Sequence, residues 1–102
     1  MNIDKDVGTE AVTGRKSSIA GTALQLNTTD TPAQRGVLVK ADSANTVDLY
    51  VGDAATITAD AADATDGWPL APGEAVLIPI DNLNKIYAVT GGTSSKAWYL
   101  VQ

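Results

Sequence analysis

From residue 18 onward, apolar and polar residues alternate in short runs separated by clusters of turn formers. The clearest run is Thr46-Val47-Asp48-Leu49-Tyr50-Val51-Gly52, which sets Val47, Leu49 and Val51 on one side and Asp48 and Tyr50 on the other. A period of two marks a strand with one buried face. Gly36-Val37-Leu38-Val39-Lys40-Ala41 lies just before it across Asp42-Ser43-Ala44-Asn45, so the pair predicts a β-hairpin. Upstream, Ile19 to Leu26 is β-prone at its end and closes in a polar loop ending at Pro32. Ala55-Thr56-Ile57-Thr58 is a short strand at best. Ala59 to Gly67 has no large apolar residue to anchor a helix and predicts a loop.

Trp68 to Glu74 reads as a rigid connection, with Pro72-Gly73 set for a tight turn. The next strand, Glu74 to Ile80, carries Pro79, which places it at a sheet edge or strand end. Asp81 to Asn84 turns the chain. Lys85 to Thr90 and Lys96 to Val101 then predict a last hairpin around Gly91 to Ser95. About seven short strands with turn signals every 8–12 residues indicate an all-β chain. We expect an antiparallel β-sandwich, jelly-roll-like or a small barrel, over residues 18–102. Its expected core is Val39, Val47, Leu49, Val51, Val76, Ile78, Ile80, Ile86, Trp98 and Leu100. Tyr50, Tyr87 and Tyr99 fall opposite more aliphatic sets and line either a second core layer or an exposed sheet surface.

Residues 1–17 break this pattern. Charges of both signs alternate there, Gly8 and Gly14 loosen the backbone, and the apolar residues are isolated. Such a stretch cannot offset the entropy of ordering itself, which predicts an extended, flexible N-terminal arm. The arm is either a frayed terminus or a strap onto a neighbouring protein. Ile3, Val7, Val12, Arg15 and Lys16 are the residues it offers a partner.

The chain has 102 residues and a net charge of −5, enough for one modest core. It contains no Cys and no His, which excludes disulfides, Cys/His zinc sites, thiol nucleophiles and histidine general bases. The acidic balance and the scattering of seven basic residues argue against nucleic acid as a partner. No run reaches the ~20 apolar residues of a membrane helix, so no membrane partner is expected. Met1 to Asp6 is charged with no apolar stretch behind it, unlike a signal peptide, so synthesis in a cytoplasm is expected.

Candidate chemistry is sparse. Asp60, Asp63 and Asp66, with Asp53 upstream, place carboxylates at a spacing of three that does not match an EF-hand loop. We expect solvated charge there, and no metal or organic cofactor. Glu10 and Glu74 are the only Glu residues and suggest no paired-acid cleft. Gly91 to Lys96 looks like a phosphate loop only on the surface, since no helix follows Lys96. No catalytic residue is expected.

The stretch from Gly36 to Val101 resembles small all-β virion proteins of bacteriophages, of the capsid decoration (cement) class. Three segments carry the resemblance. They are Gly36 to Ala41 running into Asn45 to Gly52, then Asp66-Gly67-Trp68-Pro69-Leu70-Ala71-Pro72-Gly73-Glu74, then Asp81-Asn82-Leu83-Asn84-Lys85-Ile86-Tyr87. The resemblance implies a structural protein on the capsid surface that binds across adjacent subunits of the major capsid protein. It also implies a homotrimer seated at local three-fold positions, and it carries no active-site residues. The competing expectation is a carbohydrate- or receptor-binding module of a phage head or tail fibre, which would show an exposed aromatic cluster and glycan affinity.

Overall fold

The computed structural model describes residues 12–59 and 66–102. Among these residues, eight strands form two antiparallel sheets packed face to face, with one short 3-10 helix, Leu83–Lys85. The strands are β1 (Val12–Ile19), β2 (Leu24–Gln25), β3 (Val37–Ala41), β4 (Leu49–Gly52), β5 (Trp68–Leu70), β6 (Ala75–Ile78), β7 (Tyr87–Thr90) and β8 (Ser95–Val101). The first sheet runs β1-β8-β3-β6 and the second β2-β7-β4-β5. Pairs therefore nest as β1 with β8, β2 with β7, β3 with β6 and β4 with β5. A long antiparallel ribbon rolled up in this way is a jelly roll, the β-sandwich expected from the alternation.

Three expectations need correction. The first is the arm. Residues 12–17 are part of β1, in register with β8 from Val12 opposite Val101 to Lys16 opposite Ala97. Pairing to a long neighbour strand supplies the order that local composition could not. Gly14 lies opposite Tyr99, and a Cβ there would collide with the phenol ring, so this glycine serves close approach and not looseness. The remainder of the expected arm, residues 1–11 with Ile3 and Val7, lies outside the described residues.

The second correction concerns the two hairpins. β3 and β4 lie in different sheets, as do β7 and β8, so each intervening turn is a corner between sheets. The first corner is held by the Asn45 side chain. Its Nδ2 donates to the Lys96 carbonyl at 2.9 Å, and its Oδ1 accepts the Lys96 amide at 2.9 Å. The two corners are thereby tied to each other. Trp68 to Leu70, expected as a connection, is instead the edge strand β5. β6 is an edge strand that ends just before Pro79, as the proline required.

The third concerns which face of β8 turns inward. Ala97, Tyr99 and Val101 are buried, whereas Trp98 is exposed and Leu100 half-buried. Val39, Leu49, Val51 and Ile86 occupy the core as expected, while Val47, Val76, Ile78 and Ile80 are half-buried. Ile19, Leu26, Val37, Leu70 and Leu83 complete the interior. The Tyr99 hydroxyl reaches a polar partner at the rim of this core, accepting from Asn27 Nδ2 at 3.0 Å.

Candidate functional site

The outer face of the first sheet carries side chains aligned by strand register. One row across it is Thr13, Leu100, Leu38 and Leu77, and the next is Arg15, Trp98, Lys40 and Ala75. Trp98 is 44% exposed and Leu77 49%. The Arg15 guanidinium lies over the Trp98 ring, 5.2 Å from its centroid, a cation–π contact that fixes the indole on the surface. Lys96 shares this face, two residues from Trp98.

Asp42 stands at the corner end of the same face. The backbone N–H of Ala44, donating at 3.0 Å, holds its carboxyl below the ordinary aspartate value of 3.8. Partial desolvation opposes this, and the Lys96 charge, the Trp98 indole N–H and the Arg15 charge add to it. Among the described residues this face carries three cations against one carboxylate, on a chain whose net charge is −5.

A second apolar feature opens at the side of the sandwich, where the edge strands β5 and β6 face one another. The groove there has a volume of about 300 Å3 and is lined by Val51, Asp53, Trp68, Val76, Ile78 and Ile80. Trp68 is opposite Val51 in the β4–β5 ladder and so points with the core residues, but beyond the end of their cover it is 65% exposed. The inward side chains of β6, Val76 and Ile78, form the groove wall, while its Leu77 belongs to the outer face. Asp53 supplies the carboxylate at the rim.

Of the expected partner-binding residues, Val12 is exposed at the edge of the first sheet, Arg15 stacks on Trp98, and Lys16 is half-buried opposite Ala97. Asp60 and Asp63 lie outside the described residues. Asp66 accepts from Thr58 Oγ1 at 2.9 Å and bridges back to that residue, so its carboxylate helps close the loop. Glu74 accepts the Ala71 amide at 2.7 Å across the Pro72-Gly73 turn, a structural role. The three tyrosines do not form one platform. Tyr50 and Tyr87 face outward on the second sheet, and Tyr99 faces the core.

Sequence reasoning overlooked the outward role of Trp98 and the groove position of Trp68. For Trp98 a signal existed, because Lys96 shares its parity and marks that face as solvated. Among the described residues, no group of three or more metal-ligating side chains occurs, and no helix is long and apolar enough to cross a membrane. No family model, no curated protein and no solved structure matches the chain.

Proposed function

We propose that this chain is a structural virion protein that decorates and stabilises a phage capsid by binding across adjacent copies of the major capsid protein. The observation that carries the reading is the placement of its large apolar side chains. Of the four that are strongly exposed among the described residues, Trp98 and Leu77 lie on one sheet face and Trp68 at the neighbouring groove. A core this small leaves such residues outside at a cost in solubility unless partners cover them. The virion part of the reading comes from the segments Gly36 to Gly52, Asp66 to Glu74 and Asp81 to Tyr87, whose resemblance is to decoration proteins.

In this reading the protein is made in the host cytoplasm, works as a homotrimer on the capsid surface, and catalyses no reaction. The capsid contact falls to the open edge of β1, where Val12, the fourth of these side chains, is exposed, and to the segment before it, while the Trp98–Leu77 face and the groove meet neighbouring copies. Of the aromatics open to the fibre-module alternative, Tyr50, Tyr87, Trp98, Tyr99 and Trp68, Tyr99 is buried while Trp98 and Trp68 are exposed.

The test is cosedimentation of the purified protein with empty capsids of its own virus, with and without residues 1–10. Deletion is expected to weaken attachment tenfold or more, about 1.4 kcal/mol. Deleting through residue 16 is the wrong experiment, because it removes most of β1. Failure of the full chain to bind capsids or to raise their melting temperature would sink the reading.

A further inference from the structure

We propose that copies of this chain associate head to tail, with Lys40 and the Trp98–Leu77 face of one copy seated on the Trp68–Asp53 groove of the next. This deepens the homo-oligomer part of the function proposed above and rests on it, while needing no capsid for its test.

Charge complementarity selects the occupant. Lys40 is exposed and has no ion-pair partner among the described residues, whereas Arg15 is engaged on Trp98. A lysine side chain is an aliphatic stem ending in a compact cation. The groove offers matching parts, with Val76, Ile78 and Ile80 along its wall, an exposed indole at its mouth and the Asp53 carboxylate at its rim. Tryptophan is the best aromatic partner for a cation.

Contacts that set either patch against its own copy across a two-fold axis pair like with like. Two outer faces meeting across a two-fold axis would bring Arg15, Lys40 and Lys96 into the field of the same three cations, with only Asp42 to balance each set. Two grooves meeting would set Asp53 near Asp53. A head-to-tail contact meets neither penalty. Strand addition at the groove is also disfavoured, because Pro69 within β5 and Pro79 just after β6 remove amide donors from both edges. The contact is therefore made by side chains.

The two patches lie on adjacent sides of the sandwich and share β6, whose Leu77 faces outward and whose Val76 and Ile78 face the groove. A contact between adjacent sides turns the direction of growth at every copy. Growth of that kind closes into a ring where the successive rotations complete a turn, a closure that patches on opposite sides would not permit.

The experiment is sedimentation velocity on the full chain over a concentration series, in low salt and in roughly 0.5 M NaCl, well above physiological ionic strength. The wild type is expected to form a closed oligomer that weakens in high salt. Lys40→Glu and Asp53→Lys should each weaken association tenfold or more while leaving the circular dichroism spectrum unchanged. The double variant K40E/D53K should restore it, since every contact then pairs opposite charges again, in the reversed sense. Trp68→Ala should weaken association without rescue by either charge change. A wild type that stays monomeric up to about 1 mM, where binding is worth only about 4 kcal/mol, overturns the proposal. So does an oligomer indifferent to both charge reversals, or a double variant that fails to associate. A monomer whose Trp emission shifts on addition of N-acetylglucosamine, with the shift lost in Trp68→Ala, would hand the groove to a glycan instead.

Discussion

Both sheets contribute to the core, the first more than the second, but they treat their outer faces differently. On the second sheet, Val89 points outward beside Tyr50, yet it is only 2% exposed. The chain leaving β4 folds back over this face. Ile57 Cγ2 lies 3.0 Å from where a Cβ on Gly52 would sit, and the Ala59 carbonyl lies 3.5 Å from the same point on Gly91. The first sheet has no such cover over its described outer face, where Trp98 and Leu77 remain exposed and only Arg15 lies across the indole. One face is closed by the chain's own loop, and the other is open among the described residues. An apolar side chain on the outside of a sheet therefore says little by itself, and what lies above it decides whether it is core or contact.

A charged substitution on each face breaks this comparison most sharply. Val89→Asp buries a carboxylate with no partner and should cost about 3–5 kcal/mol. Leu77→Asp places the same charge in water and should cost about 1 kcal/mol or less, measured where the chain is monomeric. Chemical denaturation of both variants is the check. Equal sensitivity would mean that Leu77 is covered within the monomer, and the distinction between the faces would fall.

A milder change sharpens the account of the cover. Ile57 is half-buried, so Ile57→Ala should cost about 1–2 kcal/mol, below the range for a fully buried isoleucine. Its signature is local. Hydrogen exchange at the amides of β7 should accelerate more than at those of β3, since only the second sheet loses its lid. Uniform acceleration across both sheets would show that Ile57 acts on global stability alone.

The strand content and the edge position of β6 are legible in the sequence, because alternation and a proline act on the nearest neighbours of each residue. Sheet membership is not. Asp42 to Asn45 has turn-forming chemistry whether it joins paired strands or carries the chain across the sandwich, and neither corner contains a two-residue Asn-Gly or Asp-Gly hairpin signal. The choice is made by distant residues, here the Asn45 amide gripping the Lys96 backbone 51 positions away. β8 poses a similar ambiguity. Ala97-Trp98-Tyr99-Leu100-Val101 is apolar on both faces, and bulk alone favours burying Trp98 and Leu100. The core takes Tyr99 instead because Gly14 on the facing strand makes room for its ring. The exposed groove is the least legible feature. Trp68 shares the inward parity of Leu70, and only the end of the sandwich beyond it leaves the indole in water.

The smallest expected effect concerns the charge pattern of the open face. Asp42 has its carboxyl held below the ordinary value of 3.8, first by the Ala44 amide and then by Lys96, Trp98 and Arg15. A depressed folded-state value means that the fold favours the ionised carboxylate. Its contribution is fully present above the ordinary value and is lost as pH falls through the folded one. Asp42→Asn keeps an oxygen that can accept from Ala44 but removes the charge seen by Lys96 and Arg15. The variant should melt slightly below the wild type at pH 7, and the gap should close as pH drops below 3.8 or as salt is raised, because the groups are solvent-exposed and screened. Asp81 is lowered by its hydrogen bond and ion pair with Lys85 at 2.8 Å, away from the open face. Asp81→Asn should therefore show the same acid dependence while leaving self-association untouched, whereas Asp42→Asn should alter association by changing how Trp98 and its cations are presented. Thermal melts from pH 2 to 7, paired with sedimentation at pH 7, separate the two. An Asp42 gap that persists unchanged at low pH would show that the charge plays no part and that the corner's hydrogen bonding alone is at work.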